Sequence, residues 1–226
     1  MGIVKEVCFW LAETMKDNID FWQDVLNDQP QSFKDWFERE KAFLRENIKS
    51  DSLVLEVGCG NGRSIFDLLS VTQNITGIDH DPKTIDEAKK NFSSYKTINL
   101  QVANATALPF NNNTFEYVLC LSTFVNFADA KYRALEEMKR VLKSDGKIIM
   151  SVYNEDALPD RMSIYKKIGL KLQSVDNGKV VFDENFVDNI SEQFSESELL
   201  DIFSKSNLKV DKLEKLEVAY LIMLSI

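Results

Sequence analysis

The sequence predicts an α/β protein with a doubly wound, mostly parallel sheet and helices on both of its faces. Three observations support this prediction. An apolar strand at residues 54–57 runs directly into a glycine-rich turn and then a helix. Strands and helices then alternate with short loops up to residue 153, which is typical of a parallel sheet with right-handed crossovers. Two further strand-like segments, at residues 208–216 and 218–224, end the chain.

Residues 1–50 are expected to form an N-terminal helical cap. The clearest helix begins at Ser32, and its apolar side is expected to pack on the edge of the sheet. Shorter helices are predicted at residues 7–15 and 19–26. The periodic apolar residues of the helix that begins at Ser32 are Phe33, Trp36, Phe37, Phe43, Leu44 and Ile48. Whether Trp10, Trp22 and Trp36 pack in an ordinary core or cover a ligand stays open.

The most informative segment is the strand and turn from residue 54 to residue 64, which contains the pattern G-x-G-x-G at Gly58, Gly60 and Gly62. Glycines at the carboxyl end of a strand allow a sharp turn and close approach of the backbone to a ligand. Glu56 lies within the buried strand, where a carboxylate is costly without a cationic or hydrogen-bonding partner. The segment therefore predicts a site for a nucleotide-type cofactor with an amino-acid-like ammonium group.

The next strand, residues 75–79, ends in Asp79, seventeen residues after Gly62. At this offset a carboxylate can accept hydrogen bonds from both hydroxyls of a cofactor ribose. Asp81 and Pro82 follow as a helix cap and first helical residue. We expect Glu56, Asp79 and Asn104 to meet at the carboxyl ends of the strands.

Together these motifs resemble the class I S-adenosylmethionine-dependent methyltransferases. Further matches are the 104–110 loop, a strand at 114–120, a helix at 130–142 and the turn before Lys147. The resemblance implies a Rossmann-like, seven-stranded sheet with an antiparallel C-terminal hairpin, and S-adenosylmethionine as cofactor. It assigns cofactor contacts to Glu56, Gly58, Cys59, Gly60, Gly62, Asp79, His80, Asn104, Ala105, Leu121 and Phe124. Asn104 stands where the family usually has Asp, so its amide oxygen would accept from the adenine amine.

The whole chain, 1–226, is interpreted as one domain with a cofactor core at 51–154 and a closing helix and strands at 195–226. Residues 155–194 are interpreted as an inserted substrate lid. A helix is predicted at residues 156–172, a hairpin around Asp176, Asn177 and Gly178, and a capped helix from Ser195. Tyr165, Phe182 and Phe186 of this insertion suit a small, partly apolar substrate, although packing of the lid on its own domain explains them equally.

Composition restricts the partners. The formal net charge is −9, and neither flank of the core is basic, which disfavours a nucleic-acid substrate. The three cysteines form no recognisable disulfide framework, and the sequence contains no membrane-span or signal-peptide pattern. These features predict a cytoplasmic protein without a metal, and they leave the oligomeric state open.

The function predicted from the sequence is methyl transfer from S-adenosylmethionine to a small molecule. Two alternatives stay open: a methyltransferase acting on RNA or protein, and a module that binds the cofactor without catalysis. Ser122, Asn126 and Tyr153 are the candidates for orienting an acceptor, and Phe124 for facing the sulfonium. The only histidine, His80, is interpreted as a cofactor wall, an exposed side chain or, least favoured, a base.

Overall fold

The computed structural model describes residues 29–183 and 189–226. The helices expected at residues 7–15 and 19–26 lie outside the described residues, as do Cys8, Trp10, Trp22 and Phe186.

The described elements follow the predicted order. The helices are α1 (Gln31–Asn47), α2 (Arg63–Leu68), α3 (Pro82–Asn91), α4 (Lys131–Val141), α5 (Leu158–Lys167) and α6 (Glu196–Lys205). The strands are β1 (Val54–Val57), β2 (Ile75–Asp79), β3 (Asn99–Val102), β4 (Phe115–Leu121), β5 (Leu142–Tyr153), β6 (Leu172–Asp176), β7 (Lys179–Phe182), β8 (Ile190–Ser191), β9 (Lys209–Lys215) and β10 (Ala219–Ser225). Two short 3₁₀ turns, Phe124–Asn126 and Ala128–Ala130, lie between β4 and α4.

One seven-stranded sheet organises the fold, with the strand order β3-β2-β1-β4-β5-β10-β9. The first five strands are parallel, and β10 runs antiparallel to both β5 and β9. The predicted doubly wound, Rossmann-like sheet with an antiparallel C-terminal hairpin is therefore confirmed. Because β1, β2, β4 and β5 are parallel neighbours, their carboxyl ends meet at one edge, where such folds bind ligands.

Local sequence explains where several elements begin. The Asp81 side chain accepts from the Lys83 backbone at the start of α3. Ser195 and Glu198 form a reciprocal capping box at the start of α6, as the sequence predicts. Asn177 and Gly178 have φ values of 45° and 78°, the left-handed conformation that a two-residue hairpin turn requires.

The structure adds to the sequence-based expectations in three places. α1 contacts the edge strand β9 through Arg39, which bonds to Glu214, while its aromatic residues Phe33 and Trp36 pack against Tyr153 of β5. The helix expected at residues 156–172 is shorter, Leu158–Lys167, since Gly169 adopts a positive φ of 72°. A third short strand, β8, joins the predicted hairpin to form a separate three-stranded sheet. In the described ranges, no helix is long and apolar enough to cross a membrane.

Candidate functional site

A cavity of about 520 Å³ opens at the carboxyl ends of β1, β2 and β4. Its lining contains most of the residues that the sequence singled out: Glu56, Gly58, Cys59, Gly60, Asp79, His80, Asn104, Ala105, Leu121, Ser122, Asn126 and Tyr153. Gly62 and Phe124 are the two predicted residues that do not line it. The strands therefore bring distant motifs together around a single space.

The glycines of the turn have different local surroundings. A Cβ on Gly58 would lie 2.3 Å from the Thr123 side chain, and one on Gly62 would lie 2.2 Å from the Phe92 ring. Gly60, with a φ of 54°, has no neighbouring atom within 4 Å of the position of a Cβ. Gly58 and Gly62 thus permit close packing, whereas Gly60 leaves open space in the cavity for a ligand.

Phe124 was expected to face the reacting group, but its side chain is fully buried. Its ring packs 5.8 Å from Phe127 and 5.7 Å from Phe194, centroid to centroid. The 3₁₀ turn after β4 directs this ring into the core and leaves Asn126 and Phe127 in the cavity wall. Phe127 thus lines the wall in place of the predicted Phe124.

Glu56 is 1% exposed. Its Oε1 atom accepts a hydrogen bond from the Ser64 hydroxyl, and its Oε2 atom has no hydrogen-bond partner among the described residues. Removal of the carboxyl group from water raises the pKa of Glu56 to about 8. A buried oxygen without a partner at a cavity wall suits a cationic, hydrogen-bonding group on a ligand.

Arg63 was not identified from the sequence as a site residue. Its Nη2 atom lies 2.7 Å from Oε1 of Glu40, which is buried on α1, and its guanidinium lies 4.4 Å from the centroid of the Phe37 ring. Phe33, Phe37 and Glu40 recur at four- and three-residue spacing, so they share one face of α1. The sequence shows this spacing, but it does not show that Arg63 packs against this face of α1.

Asp79 organises the loop around the cavity. Its Oδ2 atom accepts from the Gly60 N–H at 3.1 Å, and its Oδ1 atom accepts from the Asp81 N–H at 3.0 Å. The half-exposed His80 ring places Nδ1 3.4 Å from Asp79 Oδ1. The carboxylate therefore ties the glycine turn to the end of β2.

Asn104 has a local partner that the sequence interpretation omitted. Its amide oxygen accepts from both the Thr106 N–H, at 2.9 Å, and the Thr106 hydroxyl, at 2.8 Å. An amide oxygen has two lone pairs, so an adenine amine would compete with Thr106 for it. The amide nitrogen can only donate, which suits an acceptor atom on a ligand base.

The wall after β4 and β5 is aromatic and carries no formal charge. We call it the acceptor end and define it as Phe33, Ser122, Asn126, Phe127 and Tyr153. Ser122 has a φ of 57°, and its buried hydroxyl has no partner among the described residues. Burial raises the pKa of Tyr153 well above its ordinary range, so its hydroxyl stays protonated at neutral pH.

Comparisons with known proteins agree with this geometry. A family model described as "Methyltransferase domain" matches residues 55–150. The uncharacterized protein MJ0638 of Methanocaldococcus jannaschii is 27% identical, over 92% of this chain and 96% of that protein. The demethylmenaquinone methyltransferase of Bacillus licheniformis is 33% identical, but the match covers 61% of this chain and only 58% of that enzyme. The crystal structure of the PH0226 protein from Pyrococcus horikoshii OT3 superposes with a TM-score of 0.68 at 23% identity, over 87% of this chain and 92% of that one.

Proposed function

We propose that this chain, which belongs to the class I S-adenosylmethionine-dependent methyltransferases, transfers the cofactor's methyl group to a small molecule. The observation that carries the proposal is the continuity of the cavity. One space joins the Glu56, Gly60 and Asp79 wall to the aromatic acceptor end. Both binding regions that a two-substrate transfer needs are therefore adjacent.

The described residues fit S-adenosylmethionine. The unpartnered Oε2 atom of Glu56 matches the cofactor's ammonium group, and the open space above Gly60 allows close backbone contact. Asp79 is assigned the ribose hydroxyls, and His80 with the loop at residues 103–106 is assigned the adenine. When bound, the cofactor supplies an electrophilic methyl group on a sulfonium centre.

The chain's own contribution is to position the acceptor and exclude water. Ser122 and Asn126 offer hydrogen-bonding groups at the acceptor end, and Phe33, Phe127 and Tyr153 provide apolar contact. Holding two reacting atoms about 3 to 3.5 Å apart supplies a large part of the acceleration of such a displacement. We assign residues 155–194 the role of a lid that encloses the acceptor.

The composition supports a small molecule over RNA. A net charge of −9 opposes a phosphate backbone, and the cavity wall itself carries the carboxyl groups of Asp79, Asp81 and Glu87. An open cavity of about 520 Å³ falls in the ordinary range for ligand sites. The open cavity also supports an enzyme over a non-catalytic module, because we would expect such a module to have a blocked acceptor end.

The test combines cofactor binding with a methylation screen. We expect calorimetry to detect S-adenosylhomocysteine binding, and radiolabelled S-adenosylmethionine to label a low-molecular-weight component of a metabolite extract. Ser122→Ala should reduce the labelling while leaving S-adenosylhomocysteine affinity within a few fold, and the exposed change Ser93→Ala is the matched control. Label that enters only purified RNA or protein would contradict the small-molecule proposal.

A further inference from the structure

Arg161, on α5, is fully buried. Its Nε atom donates to the Tyr165 hydroxyl at 3.4 Å, and Nη1 donates to the Gly178 carbonyl and to Gln193 Oε1, both at 2.9 Å. Nη2 donates to the carbonyl and hydroxyl of Ser191 at 2.8 and 3.0 Å. These five bonds use the five N–H donors of the guanidinium, and every acceptor is uncharged.

This cation lies directly behind the acceptor end. The Arg161 guanidinium carbon is 4.6 Å from the centroid of the Tyr153 ring, and Tyr153 lines the cavity whereas Arg161 does not. Burying a charge is costly unless an opposite charge compensates it. Within the described ranges, no carboxylate contacts this guanidinium, so its charge can act through the ring.

The acceptor end also offers no group that would take a proton from an acceptor. Ser122, Asn126 and the two phenylalanines are not bases, and Tyr153 stays protonated. The acidic and basic side chains of the cavity wall lie elsewhere, on β1, α2, the end of β2 and α3; they are Glu56, Arg63, Asp79, His80, Asp81 and Glu87.

We propose that Arg161 is a specificity-determining residue that selects an acceptor binding as an anion, such as a phenolate, an enolate or a carboxylate. The inference rests on the proposed function and specifies the class of its substrate. An anionic acceptor bonds to the methyl carbon with its own electron pair, while the carbon–sulfur pair stays on sulfur. Both products are neutral and no proton has to be removed, which agrees with the lack of a base at this end.

The geometry sets the size of the effect. The guanidinium lies 4.6 Å from the ring centroid, and a ligand in van der Waals contact with the cavity side of the ring adds about 3.5 Å. At roughly 8 Å and an effective dielectric constant of about 20, a unit positive charge favours an anion over its neutral form by about 30-fold.

The probe is 4-nitrophenol, because it ionises near neutral pH and its phenolate absorbs at a longer wavelength than the phenol. Its pKa is measured by absorbance in the complex with the protein and S-adenosylhomocysteine. An aromatic pocket alone would raise the pKa of the bound phenol. If Arg161 acts as proposed, we expect the pKa of the bound phenol to fall by about 1 to 1.5 pH units, equivalent to 10- to 30-fold tighter binding of the phenolate.

Gln193→Glu gives the sharpest variant, because it keeps the oxygen that accepts from Arg161 and adds the missing carboxylate. We expect Gln193→Glu and Arg161→Gln to abolish most of the fall in the pKa of the bound probe. Arg161→Lys should retain this fall. Gln173→Glu, which adds the same charge at an exposed position of β6, is the matched control and should behave as wild type. If Arg161→Gln does not fold, Gln193→Glu decides alone.

Three results would overturn the inference: a bound pKa at or above that of free 4-nitrophenol, a fall in pKa that persists in Gln193→Glu, or no binding of the probe in either form. Failure of the wild-type protein to bind S-adenosylhomocysteine would instead contradict the proposed function. The two failures are therefore distinguishable.

Discussion

Replacing Glu56 with Gln should change stability and cofactor binding in opposite directions. Gln keeps an oxygen to accept from Ser64 and cannot ionise, so the variant mimics the protonated carboxyl group of the empty site. The side chain is 1% exposed, and its pKa is raised by burial from 4.5 to about 8. Glu56 is thus protonated in the folded protein at neutral pH, whereas in the unfolded chain it is ionised.

The sign of the pH dependence follows from these two values. Because the folded-state pKa is the higher one, the contribution of Glu56 to stability is fully present below pH 4.5 and is lost as the pH rises to about 8. Each rise of one pH unit in this window lowers the unfolding free energy of the wild-type protein by about 1.4 kcal/mol. Between pH 5.5 and pH 8, we therefore expect Glu56→Gln to gain about 3 kcal/mol of unfolding free energy relative to wild type.

Urea denaturation of both proteins without ligand, at pH 5.5, 7 and 8, measures this difference. Glu40→Gln is the matched control, since Glu40 is equally buried but accepts from Arg63 at 2.7 Å. Arg63 is partly exposed and keeps Asp67 at 4.0 Å, so this variant loses one charge-assisted hydrogen bond and should lose about 1.5 to 3 kcal/mol of stability. A stability difference for Glu56→Gln that does not change with pH would refute the argument.

Cofactor binding provides the second readout. The ammonium group of S-adenosylhomocysteine needs the ionised carboxylate, so its affinity for wild type should rise about tenfold per pH unit from pH 6 towards pH 8. Methylthioadenosine, which lacks the amino-acid part, should show no such rise. Glu56→Gln should bind S-adenosylhomocysteine more weakly and methylthioadenosine equally well. Unchanged affinity for S-adenosylhomocysteine would show that Glu56 does not contact the ammonium group.

Three other predictions concern the rest of the site. Gly60→Val should fill the open space above the turn and abolish S-adenosylhomocysteine binding in calorimetry, while circular dichroism shows a folded protein; wild-type affinity would contradict the role of this turn. Asp79→Ala should lose roughly 1.5 to 3 kcal/mol of binding free energy, or one to two decades in Kd, and Asp79→Asn should lose less; equal Kd values for the three proteins would place the ribose elsewhere. Replacing residues 155–194 with a Gly/Ser linker should keep cofactor affinity within a few fold and eliminate methyl transfer; transfer to RNA that survives this deletion would refute both the lid and the small-molecule acceptor.

The elements that sequence reasoning located correctly depend on short-range chemistry. Asp81 with Pro82, Ser195 with Glu198, and Asn177 with Gly178 each stabilise a helix start or a turn through contacts within four residues. The meeting of Glu56 and Asp79 at one cavity was also predictable, because they lie in parallel strands whose carboxyl ends must share an edge. No knowledge of side-chain packing was needed for these assignments.

The misassigned and missed residues depend on contacts that the chain makes over long sequence separations. Phe124 and Phe127 are three residues apart in one aromatic segment, and only the 3₁₀ turn decides which ring enters the core. The Arg63–Glu40 pair joins residues 23 positions apart. Arg161 on α5 bonds to Gly178, in the β6–β7 turn, and to Ser191 of β8 in the separate three-stranded sheet formed by β6, β7 and β8. In each case the sequence gives the side chain but does not show which residue it contacts in the folded protein.

Three costly polar groups of this fold lie at or directly behind the cavity. Glu56 has an unpartnered buried oxygen, Ser122 combines a positive φ with an unpartnered hydroxyl, and Arg161 is buried without a carboxylate among the described residues. Each arrangement lowers stability in the empty protein, and strain and unsatisfied groups of this kind cluster where a ligand supplies the missing partner. Glu56 lies in the part of the cavity wall proposed for the cofactor, Ser122 lies in the acceptor end, and Arg161 lies behind it. A ligand that satisfied all three would carry a cation for Glu56, a hydrogen-bonding group for Ser122 and a negative charge near Tyr153, which together describe S-adenosylmethionine beside an anionic acceptor.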